Sequence, residues 1–283
     1  SLIVGAPLLV AQWLMLAGSL VLVAIFAAII RRHPALYTFT MGGGSLVWAL
    51  GNLLWCLGWP VFLVVFWWAA FLVVTIAGER LELARLQQVT GAAQATLLLL
   101  LGILLTGLLL LGWSFDGGVR LFGLGLAGLA LWLGRHDIAR RTVKQAGLTR
   151  FIAICLLTGY VWLGISGLSA MWFGGVPVGP QYDATLHAFF LGFVFAMIFA
   201  HAPIIFPAVL GARMAYRPLF YAHVVLLQVT LVVRFIGDAA GWSAGRQVGG
   251  LLNAVTLLLF LVNTVSALQS PPERAGTAQG RGA

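Results

Sequence analysis

Charged residues are scarce in this chain. Asp, Glu, Lys and Arg make up 8% of the 283 residues, whereas hydrophobic residues make up 61%. Soluble domains carry about 25% charged residues, so a water-soluble fold would leave the long apolar stretches of this sequence without cover. Runs near or above the roughly 20 residues that cross a bilayer recur along the chain. The sequence therefore predicts an all-α, polytopic transmembrane helix bundle in contact with the lipid bilayer.

Cysteine and histidine are also few. The two cysteines, Cys56 and Cys155, both lie in apolar runs and form no CxxC pattern, which argues against a disulfide framework. There is no Walker motif and no HExxH motif. Five histidines without an adjacent pair do not supply the ligand set of a haem–copper oxidase core. The sequence leaves open whether the protein is an enzyme.

Nine apolar segments account for most of the length and predict one compact bundle over residues 1–269. The tail, residues 270–283, contains Pro, Gly and Arg and is predicted to be disordered and cytoplasmic. The predicted spans are approximately 2–30, 36–58, 61–77, 94–112, 118–134, 151–172, 185–210, 218–237 and 249–268.

The basic residues predict the orientation of the bundle. Thirteen of the sixteen Lys and Arg residues fall on one side of the predicted spans, and the loop 135–150 is the most basic. Cytoplasmic loops carry such an excess, so the N-terminus is predicted outside and the C-terminus inside. The expected location is a bacterial cytoplasmic (inner) membrane. The net charge of +9 is thus explained without a nucleic-acid partner. Four tryptophans fall at the opposite, outer ends, as in an aromatic belt: Trp59, Trp113, Trp172 and Trp242.

Two histidines in the stretch 187–211 are the first candidate site residues. On an ideal helix, fourteen residues leave about 40° between His187 and His201 and separate them by roughly 21 Å. His187 would lie near the outer boundary and His201 toward the inner side. An ionisable residue inside a span is functional by default. Pro203 and Pro207 follow His201, and each removes a backbone hydrogen bond.

His223 is the candidate partner of His201. The turn between the seventh and eighth spans brings these two histidines to similar depth in an antiparallel hairpin. Two histidines on neighbouring helices are a common axial pair for haem, and neutral imidazole also suits copper. The sequence thus predicts a haem b or metal site at His201 and His223, with His187 as a further candidate ligand. The alternatives are an interfacial role for His187 and a helix-end role for His223.

Other polar residues in the spans favour structural roles. Four amides are expected to form interhelical hydrogen bonds: Asn52, Gln228, Asn253 and Asn263. Arg234 and Asp238 are spaced for an i,i+4 ion pair, which could also hold an anionic group. Glu79, Arg80, Glu82 and Arg85 predict a solvated helical turn that extends the third span into the cytoplasm.

The stretch from His187 to Ala200 also resembles a known family. It follows the pattern H-A-x-x-x-G-x-x-x-x-M-I-x-A, with Gly192, Met197 and Ile198 in place. FLVVTIAGER, VWLGISGLSA and LVVRFIG (residues 71–80, 161–170 and 231–237) fit in the same order. Together they resemble the NnrS family of membrane proteins of the bacterial nitric-oxide response, of which this chain would be a shorter, divergent relative.

The resemblance implies a cofactor. The family binds haem and copper, and its motif position implies that His187 is a ligand. Because this chain continues through His201, Pro203 and Pro207, we expect its cofactor site at His201 and His223.

Three functions follow from these observations. The first is a haem- or metal-binding membrane protein of nitrogen-oxide or respiratory metabolism, which could act in electron transfer. The second is a cofactor-free structural or assembly subunit, with other subunits of a larger respiratory or membrane complex as partners. The third is a small-solute transporter that uses the proline-broken helix as its binding site.

Overall fold

The computed structural model describes residues 8–84 and 90–269, which are helical almost throughout. The predicted tail 270–283 and Arg85 lie outside the described residues. The helices are α1 (Leu8–Arg32), α2 (Leu36–Cys56), α3 (Val61–Ala84), α4 (Gly91–Leu110), α5 (Phe115–His136), α6 (Ala139–Thr142), α7 (Gly147–Phe173), α8 (Pro180–His187), α9 (Phe195–Leu210), α10 (Phe220–Ala239) and α11 (Ser243–Ala267).

Two short features complete the fold. A π-helical segment, Ala188–Val194, joins α8 to α9 without a break, so that residues 180–210 form one long helix. The strands β1 (Arg213–Met214) and β2 (Leu268–Gln269) pair antiparallel and fasten the turn before α10 to the end of α11.

In the part of the chain that the structure describes, eight helices are long and apolar enough to cross a membrane, which confirms the predicted helical membrane class. The longest of them comprises α8, the π segment and α9. α2 is not among the eight, although its 21 residues are long enough, because Gly, Thr, Ser and Asn dilute its apolar residues. It packs lengthwise between α1 and α3.

Consecutive long helices run antiparallel. Gly51 packs on Trp67 and Gly78 on Tyr37, so α2 and α3 run in opposite directions. Thr230 bonds to Asn253 and Asn263 to His223, which gives the same relation for α10 and α11. The helix ends therefore gather at two ends of the bundle.

We call these two ends the basic end and the tryptophan end. The basic end holds the last turns of α3 and α5 together with residues 137–146. The tryptophan end holds the predicted belt: Trp113, Trp172 and Trp242 are exposed, and Trp59 packs near Gly112.

α5 and α7 cross in close contact. A Cβ atom on Gly123 would meet the carbonyl of Gly167, and one on Gly167 would meet the backbone of Ala127. Small residues at such crossings allow the helix backbones to touch, as expected in a membrane bundle. This crossing fixes α7, which also contacts α6, α8, the π segment and α9.

Candidate functional site

A buried arginine is the centre of the most polar cluster in the basic end. Arg80 lies near the end of α3 and is 4% exposed. Its Nη2 donates to Glu79 Oε1 at 2.6 Å and approaches His201 Nε2 at 2.7 Å, and its Nη1 lies 3.8 Å from Asp137 Oδ2. We call Glu79, Arg80, Asp137, Tyr160 and His201 the polar centre.

Asp137 and Tyr160 form the enclosed side of the polar centre. The Tyr160 hydroxyl donates to Asp137 Oδ2 at 2.6 Å, and the backbone N–H of Ala139 donates to Asp137 Oδ1 at 2.7 Å. Both side chains are buried. Asp137 follows the last turn of α5, so the polar centre joins α3, α5, α7 and α9 by charge and hydrogen bonds.

The hydrogen bonds of His201 define its protonation in this arrangement. Its Nδ1 lies 2.6 Å from the Met197 carbonyl, which can only accept, so Nδ1 carries a proton. Nε2 accepts a hydrogen bond from Arg80, so it carries a lone pair and the ring is neutral. Glu79 Oε1 lies 3.3 Å from the same Nε2. A second proton would turn Nε2 into a donor, for which Glu79 is an acceptor and Arg80 is not.

The prediction that Glu79 and Arg80 form a solvated turn is wrong for Arg80, because its side chain is buried. α3 continues past residue 77 to Ala84, as predicted, but Arg80 lies inside the bundle instead of in water. The cost of removing a guanidinium from water is offset only when opposite charges and acceptors surround it. Glu79, Asp137 and His201 supply them, although Arg80 Nε has no partner among the described residues.

His223 occupies a different environment from His201. It is buried, its Nδ1 lies 3.3 Å from Asn263 Nδ2, and its Nε2 has no hydrogen-bond partner in the described part of the chain. The ring lies among phenylalanines, with centroid distances of 4.7 Å to Phe199 and 5.3 Å to Phe260. Within residues 8–84 and 90–269, no hydrogen bond or ring contact joins His223 to His201.

His187 bonds within its own helix. Its Nδ1 lies 2.6 Å from the Asp183 carbonyl one turn earlier. The shared face predicted for His187 and His201 assumed a continuous α-helix. The π segment between them bonds i to i+5 and turns less per residue than an α-helix, so that the 40° relation does not hold.

These positions test how well the histidines suit a metal or haem. Both ring nitrogens of His201 are engaged, so paired ligation with His223 would require His201 to leave Arg80 and Met197. No group of three or more His, Cys, Asp or Glu residues in the described ranges could hold a metal ion. His223 Nε2 is the one predicted ligand atom that is buried without a partner. The arrangement therefore suits single ligation by His223 better than the predicted pair.

A second charged network closes the tryptophan end. Asp238, whose side chain is fully buried, accepts from Arg234 Nε at 2.9 Å and from Arg246 Nε at 2.7 Å. Asp183 Oδ2 lies 3.2 Å from Arg246 Nη2 and 3.6 Å from Arg234 Nη2. The predicted i,i+4 pair of Arg234 and Asp238 is thus confirmed. Two aspartates and two arginines balance in charge, and they fasten α8 to α10 and α11.

The four predicted amides all bond across helices. Asn52 donates to the Met15 carbonyl, Gln228 accepts from Trp162, and Asn253 accepts from Thr230. Asn263 contacts His223. These structural roles are confirmed, and His223 is part of one of them.

Arg80, Asp137 and Tyr160 were not predicted as site residues. The signal for Arg80 was its place directly after an apolar run, where an ionisable side chain is a functional candidate. The signal for Asp137 was its position as the single acidic residue in the basic loop 135–150. Tyr160 gave no signal beyond a polar group in an apolar helix.

The fold and the polar centre define a polytopic helical membrane protein with a buried ionic cluster at one end. The chain belongs to the family described as Domain of unknown function (DUF8744), which matches residues 1–269. No curated protein and no solved structure matches it.

Proposed function

We propose that this is an integral membrane protein of nine spans that binds and releases a proton at the polar centre. The observation that carries the proposal is the position of His201 Nε2 between a donor, Arg80, and an acceptor, Glu79. A neutral ring bonds to Arg80, and a protonated ring bonds to Glu79. The same nitrogen therefore has a partner in either state.

The charge of the polar centre supports proton uptake. Glu79 and Asp137 carry two negative charges and Arg80 one positive charge, so a neutral His201 leaves a net charge of −1. One proton on His201 brings the sum to zero, which lowers the cost of burial. Glu79 and His201 keep side-chain exposures of 39% and 23%, so water can reach the titrating edge. Arg80, Asp137 and Tyr160 are enclosed.

The position of the proton couples to helix packing. A proton on His201 transfers its hydrogen bond from Arg80 to Glu79, and Arg80 then bonds more strongly to Asp137 on the α5 side. α9 contains Pro203 and Pro207 and follows a π segment, so its internal hydrogen bonds are already interrupted. This arrangement favours a proton-coupled transporter of a small solute over a purely structural subunit.

Topology completes the proposal. α2 lies antiparallel between two spanning helices and is counted as the ninth span, which places the two termini on opposite sides. The basic end then faces the cytoplasm and the N-terminus lies outside. The proposed location, a bacterial inner membrane, rests on the resemblance to the NnrS family.

The test is nitrogen NMR of histidine-labelled protein in lipid nanodiscs across a pH series. The signal of His201 is the one that disappears in His201→Gln. As the pH falls, this signal should change from that of the neutral Nδ1–H form to that of the imidazolium. In Glu79→Gln the protonated fraction at a given pH should fall, because the imidazolium has lost its acceptor. Glu82→Gln, an exposed neighbour on the same helix, is the control. A His201 that stays neutral wherever the protein is folded would contradict the proposal.

A haem or metal protein of nitrogen-oxide or respiratory metabolism, of the NnrS-like kind, is the second candidate. The partnerless Nε2 of His223 favours it. When bound, haem b or copper would supply electron-transfer chemistry. His223 would hold it through Nε2 after rotation of the Asn263 amide, because the amide oxygen would then accept from a protonated Nδ1 and leave a lone pair on Nε2. An absorption spectrum and metal analysis of the purified protein test this candidate. Bound haem or metal that disappears in His223→Phe would support it, and an unchanged content would exclude His223 as the ligand.

A further inference from the structure

An apolar groove runs between α5 and α7 and ends at the basic end. Its volume is about 810 Å³, and it is open to the surroundings of the bundle. Small residues line part of it, among them Ala127, Ala130, Gly134 and Gly164, and they leave the space that larger side chains would fill. Leu131 and Leu168 are exposed on its rim.

Arginines close one end of this α5–α7 groove. Arg135 and Arg140 line it, and together with Arg141 and Asp137 they line an adjoining notch of about 290 Å³. The three arginines are exposed, and none of them is in an ion pair within the described ranges. Arg140 Nη1 donates to the Arg135 carbonyl at 3.3 Å. The groove thus combines an apolar wall with a positively charged mouth.

Asp137 does not cancel this charge. Its Oδ1 accepts from Ala139, and its Oδ2 accepts from Tyr160 and lies near Arg80. Both carboxylate oxygens are therefore turned toward buried donors. The guanidinium groups of Arg135, Arg140 and Arg141 remain available to an anion.

We propose that the α5–α7 groove is a binding site for an anionic phospholipid. An acyl chain lies against Ala130, Val161 and Gly164, and the headgroup phosphate bonds to Arg135 and Arg140. Guanidinium groups bind phosphate oxygens with charge-assisted, often bidentate, hydrogen bonds. Tyr160 lines the same groove and bonds to Asp137, so a bound lipid touches the wall of the polar centre. This inference does not require that His201 takes up a proton.

The test compares retention of phosphatidylglycerol and phosphatidylcholine with identical chains, by native mass spectrometry of the detergent-solubilised protein. The wild-type protein should retain phosphatidylglycerol more strongly. Arg135→Gln with Arg140→Gln should lower its affinity about fivefold for each arginine removed. Arg31→Gln with Arg32→Gln, two exposed arginines on α1, is the matched control and should change nothing.

A second pair of variants tests the apolar wall. Gly164→Phe should lower retention of both lipids, whereas Gly164→Ala should have little effect, because its Cβ would meet only Ala130 at an ordinary 3.5 Å. Equal retention of the two lipids by the wild-type protein, or equal loss in the control pair, would overturn the proposal. The proposal would also be overturned if millimolar inorganic phosphate displaced the lipid and Gly164→Phe had no effect. Those two results together would indicate a site for a free anion.

Discussion

At the residue scale, the stability of the bundle depends on how completely Arg80 is surrounded. The guanidinium sits near the end of an otherwise apolar helix and is compensated by Glu79, Asp137 and His201. Removal of one partner from a buried ion pair typically costs about 3–5 kcal/mol, because an uncompensated charge remains. Exposed pairs contribute about 0–1 kcal/mol. The contribution of Arg80 to stability therefore depends more on its burial than on its charge alone.

We predict that Arg80→Leu destabilises the protein by about 3–5 kcal/mol, because Asp137 and Glu79 lose their common partner. Arg120→Gln, which removes an exposed pair with Asp116 and a bond to the Met171 carbonyl, should destabilise the protein much less, because solvent screens these charges. Unfolding in mixed micelles with increasing denaturant measures both variants.

A double variant separates charge from packing in this prediction. Arg80→Leu with Asp137→Asn should lose less stability than the sum of the single changes, because no lone carboxylate remains at Asp137. Strictly additive losses would show that Arg80 acts through its apolar stem rather than through its charge.

Sequence reasoning found His201 and missed its partners for a physical reason. A histidine inside an apolar run stands out locally, whereas Arg80 lies 121 positions away along the chain. Charges at the end of a run are usually solvated, and only the packing of α3 against its neighbours shows that this one is not. Pairing of His201 with His223 was inferred from similar depth, which leaves the rotation of each helix undetermined.

At the scale of elements, the apolar runs predicted the helices well and their ends less well. Most long helices begin and end within a few residues of the predicted spans, but the seventh span begins at Pro180 instead of residue 185 and α11 begins at Ser243 instead of residue 249. α3 continues to Ala84, in agreement with the helical turn predicted after its apolar run. The π segment Ala188–Val194 has no signal in hydropathy, because its residues are as apolar as an α-helix would need. Gly192 packs there against Trp162, a contact that a larger side chain would block.

We predict that the glycines of the α5–α7 crossing are sensitive to a single methyl group. Gly167→Ala places a Cβ 2.6 Å from the backbone N of Ala127, and overpacking of this kind typically costs about 1–3 kcal/mol. Gly102→Ala on α4, whose Cβ would meet nothing within 4 Å, should be neutral or stabilising by up to about 1 kcal/mol. The same denaturant titration compares them. Equal effects of the two changes would show that α5 and α7 are not in backbone contact.

At the scale of the whole molecule, topology depends on α2. The other long helices qualify as spans by length and hydropathy, but α2 carries Gly42, Gly44, Ser45 and Asn52 on its buried face. Those residues contact α1 and α3 rather than lipid: Asn52 donates to Met15, and Gly44 packs against Thr75. Low hydropathy is therefore the expected property of a span that is covered by protein on two sides.

We predict that α2 crosses the bilayer, so that residues 33 and 57 lie on opposite sides. Single cysteines at the exposed positions His33 and Leu57, in a protein with Cys56→Ala and Cys155→Ala, can be labelled in intact cells with a membrane-impermeant maleimide. Leu57→Cys should react and His33→Cys should react only after the membrane is opened. Cysteines at Val178 and Ala146 are the matched controls, since Val178 lies in the loop at the tryptophan end and Ala146 at the basic end. If residues 33 and 57 react alike while the controls differ, α2 does not span, and eight crossings would bring both termini to one side. If the controls react alike, α7 does not separate two compartments, and the assignment of the basic end to the cytoplasm is lost with it.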